Sequence, residues 1–305
     1  MSAPSEADRR VARPVLNRGT PVVRDGRPDW LKVRVRATPE LEHVRRTVIE
    51  RGLHTVCFSA ACPNLNECWS RGTATFMIGG ARCTRRCAFC DVATGRPDAL
   101  DPNEPARVAE AVAALRLRFA VITCVARDDL PDGGAGQMAA TVRAIRTRCP
   151  GVGVEVLIAD YGGDESALAA VLDAGPDVLN HNLETVERLQ RKVRPAASYE
   201  RSLSVLRRAG ELRPLIPRKS GLILGMGERD DEIDVAFRDL RAAGVSLLTL
   251  GQYLRPSLDH LPLDRWITPA EFAAWAARAR ALGFAEVASG PLVRSSYHAE
   301  SLARA

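Results

Sequence analysis

From about residue 73 to residue 288, short apolar runs alternate with longer stretches whose apolar positions recur at helical spacing. The short runs predict strands at residues 74–78, 119–125, 152–158, 178–182, 220–224 and 246–250, with a further short one at 285–288. Helical spacing marks residues 103–117, 136–148, 165–174, 230–243 and 269–282, and a helix starting at 184–192 with 199–209 continuing that region. Strands separated by helices imply right-handed βαβ units and a parallel sheet. Six strands are too few for a closed eight-stranded barrel, so the expected fold class is α/β, an open sheet or a partial (β/α)6-type barrel of parallel strands. Chemistry in such folds gathers at the C-terminal strand ends, and the polar strings discussed below follow predicted strands.

Composition adds bounds rather than direction. A chain of 305 residues, 46% hydrophobic, can bury one large core, or one core and a small lobe. No apolar run approaches the roughly 18 residues of a membrane span. Residues 1–36 mix arginine, proline, Glu6, Asp8 and Asp25 without an apolar export segment. A cytoplasmic protein with no membrane partner is expected. The net charge of +6 changes little, because the basic cluster from Arg188 to Arg194 lacks interleaved aromatics and no nucleic-acid partner is expected.

The cysteines change the picture. Six of the eight fall between residues 57 and 90, and without an export signal a disulfide framework is not expected. Cys83, Cys87 and Cys90 are spaced C-x3-C-x2-C in the string CTRRCAFC, just after the first predicted strand. Three thiolates in one short loop hold three irons of a cubane [4Fe–4S] cluster and leave the fourth iron open. An open iron binds the amino and carboxylate groups of S-adenosylmethionine. An electron passed to its sulfonium yields a 5′-deoxyadenosyl radical that takes hydrogen from an alkyl group. Zinc instead recruits four ligands, often as paired C-x2-C units. The second group, Cys57, Cys62 and Cys68, is also one ligand short of four. It forms its own site, completes the first group, or binds zinc with a distant histidine such as His54. Cys124 and Cys149 end a predicted strand and a predicted helix and read as small buried hydrophobes.

These two cysteine patterns, in this order, together with the string RSSY at Arg294, Ser295, Ser296 and Tyr297, resemble the lipoyl synthases of the radical S-adenosylmethionine superfamily. The strings RPDWLKVR near Trp30, ATFMI at 74–78, RDDLPDGG at 127–134, LNHNLETV at 179–186, KSGLILGMGE at 219–228 and LGQYLRPS at 250–257 extend the resemblance over most of the chain. It implies an enzyme that inserts two sulfur atoms, at C6 and C8 of an octanoyl chain amide-linked to a lysine. It implies two [4Fe–4S] clusters and S-adenosylmethionine as cofactors, the auxiliary cluster being the sulfur source. Cys83, Cys87 and Cys90 are assigned to the radical cluster, and Cys57, Cys62, Cys68 and Ser296 to the auxiliary one. Cys83, Cys87, Cys90 and Ser296 are the expected catalytic residues, and Asn182, Glu184 and Arg194 the expected cofactor contacts.

The implied partners are octanoylated lipoyl carrier domains, of a 2-oxoacid dehydrogenase E2 or the glycine cleavage H protein, and an electron donor such as ferredoxin or flavodoxin. The implied organisation is a flexible segment at 1–36, an auxiliary-cluster lobe at 37–72, the partial barrel at 73–288, and a C-terminal segment at 289–305 carrying the serine ligand. Ala81, Cys124 and Ala126 depart from the family pattern, and none is an expected ligand. The competing readings are a divergent radical enzyme inserting sulfur into another substrate and a non-catalytic iron–sulfur protein.

Overall fold

A computed structural model describes residues 26–32, 39–59, 62, 64, 68, 75–296, 299 and 300. Most of the expected flexible segment, Ala74 of the first predicted strand, and Tyr297 lie outside the described residues. One sheet runs in chain order through β1 (His54–Thr55), β2 (Thr75–Ile78), β3 (Phe119–Cys124), β4 (Gly153–Leu157), β5 (Val178–Asn180), β6 (Arg218–Leu224), β7 (Leu247–Gln252) and β8 (Glu286–Gly290). β1 is antiparallel to β2, and every later pair is parallel. Each parallel crossover carries a helix, as the sequence pattern predicts.

The further short strand expected at 285–288 is β8, which pairs with β7 at five positions, from Leu247 with Glu286 to Gly251 with Gly290, and brings the parallel array to seven strands. β1 has two residues, too short to show any periodicity. The helix expected to start at residue 184 does not. Glu184 has φ +69°, accepts from Ile223 N at 2.8 Å and donates to Gly221 O at 2.9 Å, so the chain makes one parallel bridge to Leu222 of β6 there. Helical turns occupy only Glu187–Leu189 and Gln190–Val193. They stop at Arg194, which precedes Pro195 and is pushed out of the helical region.

The helices are closed by local chemistry. Thr268 Oγ1 accepts from Glu271 N and Glu271 Oε2 accepts from Thr268 N, a reciprocal cap for Pro269–Ala281. Asp164 does the same work for Glu165–Asp173 by accepting from Ser166 N and Ala167 N.

Strand alternation sends side chains two ways. Phe76, Ile78, Ile122, Val154, Val156 and Leu179 pack under one set of helices, and Leu222, Leu224, Leu248, Leu250 and Val287 under the other. Each such burial stabilises by roughly 1.5–3 kcal/mol. The opposite face of the sheet closes on itself. Phe119 and Val121 of β3, Val178 of β5 and Leu247 of β7 form one cluster with Ala299, although none of these strands is the others' neighbour. Only a curled sheet brings them together, so these residues make the floor of a partial barrel.

Above that floor the interior is polar. Lys219 Nζ donates to both Glu155 oxygens, at 3.0 and 2.9 Å, and Asn180 Nδ2 donates to Glu155 Oε1 at 2.8 Å. All three residues are fully buried.

Candidate active site

β2 ends at Ile78. Gly79 and Gly80, at φ +84° and +102°, then turn the chain across the strand ends into CTRRCAFC. That loop is anchored on two sides. Arg85 donates to Asp128, following β3, and to Asp160, following β4, both at 2.6 Å through Nη2. Thr84 Oγ1 also donates to Asp128, at 2.8 Å. On the other side Ala88 N donates to Val193 O at 2.8 Å, and Leu261 N, from the loop after β7, donates to Ala88 O at 2.9 Å. His260 Nε2 donates to Cys90 O at 3.1 Å while its Nδ1 accepts from Ser257 Oγ at 2.8 Å. The three cysteines are therefore held over the C-terminal mouth of the barrel.

The three thiols are partly buried. Cys83 Sγ accepts from Arg85 N at 3.4 Å and from Ala126 N at 3.3 Å, bonds that favour a thiolate ligand. Burial pushes the Cys87 thiol up to about 11, with the Arg194 charge opposing, and the Cys90 thiol up to about 12. A metal held by these thiols would displace their protons, so that binding and deprotonation would be one event. Among the described residues no three His, Cys, Asp or Glu side chains converge on a single ion. Cubane ligands sit on separate irons, so they stand farther apart than the ligands of one zinc.

The second group meets a distant part of the chain. A small hollow is lined by Cys57, Cys62 and Cys68 together with Ser296, Arg294, Asn64 and Thr75. The antiparallel turn of β1 onto β2 brings Cys57 toward the start of β2. Cys62 N then donates to Cys57 O at 3.2 Å, and Cys68 N to Asn64 O at 2.9 Å. Asn64 Nδ2 reaches across to Leu292 O at 2.6 Å, tying this loop to the C-terminal segment. Burial raises the Cys62 thiol, opposed by the Arg294 charge. Among the described residues no carboxylate stands within salt-bridge reach of Arg294; its hydrogen bond goes to Val293 O at 2.6 Å, and burial lowers its pKa while the Cys62 and Glu184 charges oppose. A buried guanidinium beside three thiols, with the Glu184 carboxylate acting on it only from beyond salt-bridge reach, suits an anionic group such as a thiolate-ligated cluster. His54 does not line the hollow, and burial lowers its pKa beside Glu104, so the zinc reading with His54 lacks its geometry.

The predicted cofactor contacts lie after β5. Asn182 Nδ2 donates to Glu184 Oε1 at 3.0 Å and to Ser295 Oγ at 2.5 Å. Its Oδ1 is buried without a partner. A Cβ at Gly221 would stand 3.0 Å from that oxygen and 2.5 Å from Thr249 Oγ1, so the close approach needs glycine. Burial raises the Glu184 carboxyl above the usual range, and Arg194 and Asn182 oppose it. Arg194 Nη1 donates to the carbonyls of Asn182 and Leu183, both at 3.1 Å, so its guanidinium braces this backbone. The orphan oxygen of Asn182 and the Glu184 carboxyl are acceptors suited to an amino or hydroxyl group.

Several contributors escaped the sequence reading. Arg85, Asp128 and Asp160 pin the cysteine loop, and Arg294 faces the cysteine hollow. Glu228 Oε2 accepts from Gly225 N and Met226 N, at 2.9 and 3.0 Å, and so shapes the end of β6. The acidic residues of RDDLPDGG and the terminal glutamate of KSGLILGMGE were the available signals.

Known proteins match this arrangement. The model of the Radical SAM superfamily matches residues 77–240. A lipoyl synthase of Methylococcus capsulatus is 58% identical over 278 residues, covering 91% of this chain and 86% of that one. A lipoyl synthase of Mycobacterium tuberculosis is 51% identical over 302 residues, covering 99% and 96%. Among solved structures, methylornithine synthase superposes with TM-score 0.52 at 14% identity over 72% of each chain. HydG, a maturase of the [FeFe]-hydrogenase, gives 0.54 at 15%, covering 74% of this chain and 58% of that one. These two likenesses bear on the fold alone. No helix among the described residues is long and apolar enough to cross a membrane. A cysteine loop over a partial-barrel mouth, a superfamily match across half the chain, and relatives aligned over nearly their whole lengths lead to one assignment: the chain belongs to the lipoyl synthase family of radical S-adenosylmethionine enzymes.

Proposed function

We propose that this enzyme uses two [4Fe–4S] clusters with separate tasks. Cys83, Cys87 and Cys90 hold the one that activates S-adenosylmethionine. Cys57, Cys62, Cys68 and Ser296 hold the auxiliary one, which gives up sulfur to C6 and C8 of an octanoyl-lysine. The single observation that carries the reading is the meeting of Ser296 with three cysteines more than two hundred residues away in one hollow that Arg294 also lines. When bound, the activated cofactor supplies a radical that removes hydrogen from the alkyl chain.

The protein's own residues do the rest. Asn182 and Glu184 offer acceptors to the amino and hydroxyl groups of the cofactor, and Arg194 keeps them in place through the backbone. Arg85, fixed by Asp128 and Asp160, holds the first cysteine loop still. Arg294 balances negative charge at the second site, and Ser296 offers an oxygen, a harder and less usual ligand for cluster iron than a thiolate. In this reading residues 37–72 form the auxiliary lobe, 73–288 the barrel and 289–305 the segment that delivers Ser296. The substrate is an octanoylated carrier domain, of a 2-oxoacid dehydrogenase E2 or the glycine cleavage H protein, and the reductant a ferredoxin or flavodoxin in the cytoplasm. The net charge of +6 speeds encounter with an acidic carrier at low salt.

Iron analysis after anaerobic reconstitution tests the division of labour. Replacing Cys83, Cys87 and Cys90 with Ala should halve the iron and abolish 5′-deoxyadenosine formation. Replacing Cys57, Cys62 and Cys68 should halve the iron, leave cofactor cleavage measurable and end sulfur insertion, read by mass spectrometry of an octanoylated peptide. A folded triple variant that loses all its iron sinks the two-site reading.

A further inference from the structure

We propose that Ser295 and Asn182 form a strut that positions Ser296 in the cysteine hollow and couples it to the cofactor end of the barrel, making Ser295 a positioning residue. The inference rests on Ser296 being the fourth ligand of the auxiliary cluster.

Two adjacent serines serve two different sites. Ser296 lines the hollow with Cys57, Cys62 and Cys68. Ser295 turns the other way and accepts from Asn182 Nδ2 at 2.5 Å, a contact spanning 113 residues of sequence. The segment leading to them is held at three points. Asn64 Nδ2 donates to Leu292 O at 2.6 Å, fixing it to the cysteine-bearing loop. The Val293 carbonyl lies against β7, where a Cβ at Gly251 would stand 2.1 Å from it. Asn182 supplies the third hold, and it alone belongs to the expected cofactor site.

Asn182 has little freedom to do anything else. Arg194 grips its carbonyl, and its Oδ1 lies so close to Gly221 that a Cβ there would stand 3.0 Å away. Both N–H bonds of its amide are committed, one to Glu184 and one to Ser295. A cofactor amine or hydroxyl that donates to Glu184 therefore acts on the same carboxyl that the Asn182 amide, which also holds Ser295, donates to. Linkage makes the effect reciprocal: what the cofactor does to the grip of Ser296 on iron, that grip does to cofactor affinity.

The test uses the reconstituted holoenzyme and reads iron release to a ferrous-iron chelator, with and without S-adenosylmethionine, alongside the Mössbauer spectrum. Wild type should release its most labile iron at a rate that responds to the cofactor. Ser295→Ala should keep full iron loading, release that iron about fivefold faster or more, and lose the response. Ser295→Thr, which keeps the hydroxyl, should restore both. Ser296→Ala should change the Mössbauer signature of one iron site. An unchanged Ser296→Ala spectrum removes the ligand assignment and the strut with it. A changed Ser296→Ala spectrum with Ser295→Ala indistinguishable from wild type overturns the strut alone. Equal acceleration by Ser295→Ala with and without cofactor, or a wild-type rate that ignores the cofactor, overturns the coupling.

Discussion

Adding one methyl group to β7 should disable sulfur insertion while sparing cofactor cleavage. The Cβ of Gly251→Ala would lie 2.1 Å from the Val293 carbonyl and 3.1 Å from Arg294 Nη1. The guanidinium can give way, but the carbonyl is backbone, and ordinary contact begins only near 3.4 Å. Gly251 itself is paired with Ile223 on one side and Gly290 on the other, so the strand resists moving. The C-terminal segment must then retreat by roughly 1 Å, at an overpacking cost of about 1–3 kcal/mol. Ser296 lies three residues further on, and a misplacement of about 1 Å in a reacting constellation costs on the order of 100-fold in rate. The first cysteine loop is fixed by Arg85, Asp128, Val193 and Leu261, none of which the methyl touches. Lipoyl product and 5′-deoxyadenosine, quantified by mass spectrometry in the same reaction, read both halves at once. Product should fall about 100-fold while 5′-deoxyadenosine persists. A Gly251→Ala enzyme with a wild-type ratio of product to 5′-deoxyadenosine refutes the reasoning.

Two stability predictions address the barrel. Lys219→Met strands a Glu155 carboxylate with only Asn180 as donor, and removing one partner of a buried pair costs about 3–5 kcal/mol. Adding Glu155→Leu should recover most of that loss in urea midpoints, and two simply additive losses would show that the pair is not coupled. Burial, reinforced by the Arg194 charge, lowers His181 to about 4, where it bonds Ile158 O and Ser202 as a neutral ring. The unfolded chain takes up this proton first, so the stability is fully present above about pH 6.5 and drains away down to about pH 4, by roughly 3 kcal/mol in all. His181→Asn should flatten the change in urea midpoint between about pH 7 and pH 5. An equally steep change in the variant would remove His181 as its cause.

The parallel strands were legible in the chain because both of their faces are buried, so residues such as 119–124 read as near-continuous apolar runs bounded by helical spacing. The first cysteine group was legible for a related reason: all three cysteines lie within eight residues, and local spacing alone expresses a loop. β1 was not, since two residues carry no period, and its role is to turn Cys57 toward the hollow rather than to build the sheet. Helical spacing at 184–192 was misleading, because Glu184 at positive φ bridges to Leu222 of β6 before any helix can start.

What the sequence determined by itself was the order of strands and helices, the identity of the thiol groups, and which strand ends bear polar strings. What only the tertiary structure decided was which of these meet. Ser296 reaches Cys57, Cys62 and Cys68, Ser295 reaches Asn182, and Lys219 reaches Glu155, across separations no local pattern encodes. The reason is the curl of the sheet: hydrophobic burial on its outer face and an apolar floor inside force strands far apart in sequence to share one interior, where buried polar groups must find partners or be left to a ligand.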